Sequence, residues 1–142
     1  MSTANVVKVL PDLDREGLNV RIVAAVSPQL FRMQDETYRN ELCSPADRWD
    51  GMAITNRAYK LMRDWVDGPI SEEYSLSSDW DNSWRTGGTV DEVIDEAHLG
   101  PGHILEAIER YVRDRDVRLD RLRELVDLVD RDHRGVSDGN GG

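Results

Sequence analysis

The chain has 142 residues, enough for one domain with a core of its own. Its apolar share, 39%, lies above the disordered range, and a net charge of -10 repels nucleic acid and anionic membrane unless a local basic face intervenes. The lone cysteine, Cys43, excludes an internal disulfide and a thiol-based zinc site.

No run approaches the ~20 apolar residues of a bilayer span. The first residues lack the basic start and apolar centre of a signal peptide. The expected place is therefore intracellular: the cytoplasm, or a virion if the protein is viral. The 16 Arg against 2 Lys are a codon-usage sign of a GC-rich genome, actinobacterial, haloarchaeal or of a virus of either.

In chain order, Val6–Leu10 and Val20–Val26 are runs rich in β-branched residues, separated by Pro11 and turn-formers up to Gly17. They fit a strand pair. The second run fits a helical turn equally well, since Val20, Val23 and Ala24 sit at helical spacing. Ser27-Pro28 is a helix start, with Ser as N-cap and Pro at the first helical position. That helix is predicted to run to Leu42. Ser44-Pro45 repeats the signal, and a second helix is expected to about Val66, with Gly51 inside it at a cost of roughly 1 kcal/mol relative to Ala.

Asp67-Gly68-Pro69 ends it. Residues 70–88 show no periodicity and read as a long acidic loop carrying Trp80 and Trp84. Thr89-Val90-Asp91-Glu92 spells a capping box for a short helix. Leu99-Gly100-Pro101-Gly102 breaks that helix. From His103 to about His133, apolar residues Leu105, Ile108, Val112, Leu119, Leu122, Val126 and Val129 recur at steps of three and four, with Arg115 as the one polar member. This predicts one long amphipathic helix with a heptad seam.

The expected fold is thus mainly α. Residues 1–134 form a small helical domain, with a short N-terminal β-hairpin if the two early runs pair. Residues 103–133 form the long C-terminal helix, and residues 135–142 a flexible tail. The proximal half of that helix has the wide apolar face of a core helix. The distal half has the apolar surplus of a contact surface, and Arg115 in the seam would act as a register device.

Chemistry leaves few handles. Asp79-Trp80-Asp81-Asn82-Ser83 starts like a calcium loop, but Trp84 stands where the loop needs Gly and Val90 where it needs the bidentate Glu. His98 and His103 lie five apart and do not share a helical face, His133 is remote, and no Cys joins them, so no metal site is expected. No phosphate loop, nucleophile elbow or zinc-protease motif is present. Neither catalytic residues nor a cofactor are assigned.

The favoured reading is a non-enzymatic interaction or assembly protein whose partner is a second copy or another protein; a viral structural or accessory role fits the class. Its interface would use Leu119, Leu122, Leu125, Val126 and Val129 on the distal helix, with the loop anchors Trp80 and Trp84. One alternative is a helix-turn-helix DNA-binding regulator on residues 90–118, with Arg110, Arg113 and Arg118 along its second helix. Nucleic acid is disfavoured by the charge of -8 over residues 67–100, where nine acidic residues face one Arg. A second alternative turns that charge into the function: an acidic decoy that occupies a nucleic-acid-binding partner.

Overall fold

A computed structural model of the chain describes residues 2–83 and 87–137, with the side chains of the last helix described through Arg131. The fold is mainly helical. Its elements are α1 (Ser2–Arg15), α2 (Pro28–Arg32), α3 (Glu36–Leu42), α4 (Pro45–Asp50), α5 (Pro69–Tyr74), α6 (Val90–Glu96), α7 (Pro101–Arg113) and α8 (Arg115–Ser137), with a 3-10 turn at Tyr59–Met62.

The expected N-terminal β-hairpin is absent among the described residues. Val6–Leu10 lies inside α1, and Val20–Val26 is extended chain without a ladder. Burial overrides β-propensity here. Asn5, Val9 and Leu13 fall four apart, so one helical face carries all three to the interior. Val9 and Leu13 meet Ile104 and Ile108 of α7, and these four are the centre of the main core. Asn5 donates from Nδ2 to the Leu99 carbonyl at 2.9 Å, which ties the start of α1 to the turn before α7. Pro11 sits inside α1 on its exposed side and does not end it.

The two predicted hairpin helices also break up. Ser27 caps α2 as expected, accepting from the Leu30 N–H at 3.3 Å. The helix then stops after Arg32, because Asp35 caps a new one by accepting from the Tyr38 N–H at 2.8 Å. Neither helix has a fully buried residue, and the contact of Phe31 in α2 with Trp65, ring centres 4.6 Å apart, does not span the break. Ser44 begins α4 with a full capping box to Asp47. That helix ends at Asp50 and not near Val66. Gly51 leaves it in an extended conformation, and a Cβ there would stand 2.4 Å from the Asp47 carbonyl oxygen and 2.8 Å from Val66 Cγ1. Ile54 then pairs with Leu76 in an isolated parallel bridge.

Residues 70–88 are not wholly a loop. Gly68, at φ +136°, opens α5, which buries Ile70, Ser71 and Tyr74. The Ser71 hydroxyl donates to the carbonyl of Trp49 at 3.0 Å, so α5 is locked under the end of α4. The α6 capping box is present as predicted, with the Glu92 N–H donating to Thr89 Oγ1 at 3.3 Å and Thr89 N–H donating to Glu92 Oε2 at 2.7 Å.

The long C-terminal helix is present but interrupted. Asp114 separates α7 from α8 with φ -86° and ψ 16°. α8 continues past Gly135 to Ser137, and residues 138–142 lie outside the described residues. No helix among the described residues is long and apolar enough to cross a membrane.

Candidate protein-interaction face

The break at Asp114 is held by side chains from α5 and α7. The Tyr74 hydroxyl donates to Asp114 Oδ2 at 3.1 Å. Arg110 approaches the same carboxylate at 3.8 Å and Glu73 at 3.3 Å, and its guanidinium lies 4.6 Å from the Tyr74 ring centre. Burial pushes the Tyr74 phenol above its usual range, and the Asp114 carboxylate that it bonds pushes it further. The charged stretch around Asp114 is thus a fixed corner.

One turn later, Arg118 turns inward. Its side chain is only 3% exposed. Nε donates to Asp50 Oδ1 at 2.9 Å, Nη2 to Asp50 Oδ2 at 3.4 Å, and Nη1 to the Tyr111 carbonyl. The guanidinium carbon lies 3.5 Å from the centre of the Tyr111 ring, and the Tyr111 hydroxyl donates to the Asp50 carbonyl. A buried guanidinium is costly unless its donors are engaged and its charge met; here both hold. Burial holds the Asp50 carboxyl above its usual range, and Arg118 offsets only part of that rise.

Arg115, the seam arginine, is not the one that turns into the protein's own body. The sequence places Arg115 in the seam, but it is exposed beside Asp116 at 3.5 Å. The seam was counted on an unbroken helix, and the break at Asp114 changes which residue turns inward. Arg118, Asp50, Tyr111 and Tyr74 are the residues that sequence reasoning missed as a group. Asp50 and Arg118 stand 68 positions apart, and no local pattern joins them.

Beyond this anchor, α8 loses its cover. Arg121 still reaches Glu73 of α5 at 2.8 Å. Leu119, Leu122 and Leu125 are half-buried. Val126 is 50% exposed, Val129 47% and Leu128 57%. Leu119, Leu122, Arg123, Val126 and Asp127 line a shallow depression that opens to solvent. The five predicted interface residues of the helix therefore lie on one element, and their exposure grows toward its far end.

Trp80 does not join this face. Trp80 stacks on His98 with ring centres 4.3 Å apart, and His98 stacks on His103 at 4.6 Å. His98 holds φ +54°, which is what turns its ring back over the corner between α6 and α7. The two imidazoles lie 13° from parallel, so their in-plane nitrogen lone pairs do not converge on one point. Among the described residues no three His, Cys, Asp or Glu side chains gather as a metal site. Trp84 lies outside the described residues.

The three arginines named for DNA are spread over different duties. Arg110 is held by Glu73 and Tyr74, Arg118 is buried on Asp50, and Arg113, with its side chain 71% exposed, lies beside Asp114. In the acidic stretch, Asp79 accepts from the Ser77 hydroxyl and the Tyr59 N–H, and Glu92 is used in its cap. No protein-family model, curated protein or solved structure matches the chain.

Proposed function

We propose that the protein is a non-enzymatic interaction or assembly protein that self-associates through the distal half of α8. One observation carries this reading. The base of α8 is fixed by a buried Arg118 bonded to Asp50 and to the Tyr111 carbonyl, while Val126, Leu128 and Val129 beyond it stand about half exposed among the described residues. A helix whose base is rigid presents its remaining stripe at low entropic cost, which favours association. A four-residue seam on each copy buries well under the ~1,600 Å² of a standard interface, so pairing should be weak and concentration-dependent.

The test is molar mass by light scattering and sedimentation over a concentration series to ~0.1 mM, a range that captures micromolar pairing. The full chain should rise toward a dimer, and Val126→Asp should stay monomeric with an unchanged circular dichroism spectrum. A full chain that is monomeric throughout would overturn the proposal.

A further inference from the structure

We infer that two copies pair through α8 in the antiparallel sense, set in register by Arg123 and Asp130. The inference rests on the self-association proposed above and adds its orientation. With Leu119 and Val126 at a positions and Leu122 and Val129 at d positions, Arg123 and Asp130 fall at successive e positions. The depression lined by Leu119, Leu122, Arg123, Val126 and Asp127 lies on that e side of the seam. The opposite flank, through Arg118, is turned into the protein's own body. The open side is therefore the side on which e residues meet.

The two orientations differ in what meets there. In an antiparallel pair Leu119 faces the second copy's Val129, Leu122 faces its Val126, and Arg123 lies beside its Asp130. By two-fold symmetry this opposite-charge contact forms twice. In a parallel pair, residues at e meet residues at g, so Arg123 would face Arg118 and Asp130 would face Leu125. That arrangement sets like charges together and leaves Asp130 unpaired. The wider charge pattern agrees. Residues 115–123 hold four Arg against two acids, whereas residues 124–132 hold four acids against one Arg. An antiparallel partner lays the basic half on the acidic half. Arg123 bonds Asp120 at 2.8 Å, but both side chains are exposed, so exchanging that contact for one across the pair costs little.

Charge reversal with mixing tests this. Arg123→Glu and Asp130→Arg, each in the full chain, are measured by sedimentation alone and as an equimolar mixture. Each alone should associate roughly ten-fold more weakly than the natural chain, because both symmetric contacts become repulsive. The mixture should recover natural association, since Glu at 123 then meets Arg at 130 and the natural Arg123 meets the natural Asp130. A cross-link gives the second reading in a Cys43→Ser background: Leu119→Cys mixed with Val129→Cys should form a disulfide between the two variants, and Val129→Cys with itself should not. Recovery with the mixed cross-link supports the antiparallel pair. No recovery, or self-linking at position 129, overturns the orientation while the self-association stands. A monomeric natural chain defeats the parent reading instead.

Discussion

The two ends of α8 carry the same apolar periodicity and have opposite surroundings. Arg118 and Arg121 at the base are committed to Asp50 and Glu73, and the helix there packs on α4 and α7. Five to eleven residues later, apolar side chains stand open: Val126, Leu128 and Val129 are each about half exposed. The difference teaches that apolar periodicity marks a face without saying what covers it. At the base, the decisive contact is charged and comes from far away in the chain. At the far end, the periodic stripe is all there is.

The strongest way to break this contrast is to cut the base. Arg118→Ala leaves Asp50 without its counter-charge and opens a cavity beside Tyr111, and it should cost about 3–4 kcal/mol of stability, read as a lowered urea midpoint. Because burial already raises the Asp50 carboxyl, loss of Arg118 should raise it further. The sign follows from linkage: a carboxyl raised in the folded state costs stability above its folded value and recovers it as pH falls toward the unfolded value. The deficit of Arg118→Ala should therefore shrink in acid. Replacing both partners, as Asp50→Leu with Arg118→Met, should recover much of the loss.

Gly51→Ala sharpens the same contrast from the other side of the ion pair. Its new Cβ would stand 2.4 Å from the Asp47 carbonyl, which is backbone and cannot swing away. The end of α4 must shift, and Asp50 with it. A loss of about 2 kcal/mol in the urea midpoint is expected, within the range for overpacking.

How much of this was legible locally? The three helix starts at Ser27, Ser44 and Thr89 were, because an N-cap is a contact across three residues and leaves its mark in the sequence. So were the helical class and the place of the C-terminal helix. The ends were not. Asp35 and Asp114 interrupt patterns that look continuous, and each does so through a particular side-chain contact. Val6–Leu10 read as a strand because its β-branched content is visible, whereas the partners that make it a helix, Ile104 and Leu99, lie more than ninety residues on. Of the interface face, the stripe was legible. Its anchor was not, since Arg118 takes its role from Asp50 and Tyr111.

A smaller effect belongs to α4, which carries Asp50. Burial raises the Asp47 carboxyl, but the Ser44 hydroxyl, the Ser44 N–H and Arg21 outweigh it, and the group sits below the ordinary value. A carboxyl lowered in the folded state adds stability above its unfolded value, near 4, and gives it up as pH falls through the folded one. Ser44→Ala should cost about 1 kcal/mol at neutral pH. It should also flatten the acid limb of the stability curve, because Asp47 then titrates nearer its ordinary value. Urea midpoints between pH 3 and 7 read both effects.

The smallest stability change is expected at the open end, and it discriminates most sharply between the two regions. Val126→Ser removes two methyl groups from a side chain that is already half in water, so the fold of one copy has little to lose. Its unfolding free energy, measured at low concentration, should stay within ~0.5 kcal/mol of the natural chain. Association should respond far more, because the same methyls sit at the centre of the seam that a second copy would cover. If Val126→Ser instead lowers the stability of the isolated chain by as much as a core truncation, the stripe belongs to the protein's own packing. The contrast between the two ends of α8 would then be one of degree. If stability holds and the concentration dependence of mass disappears, the base serves to fold the chain and the far end to join it to another.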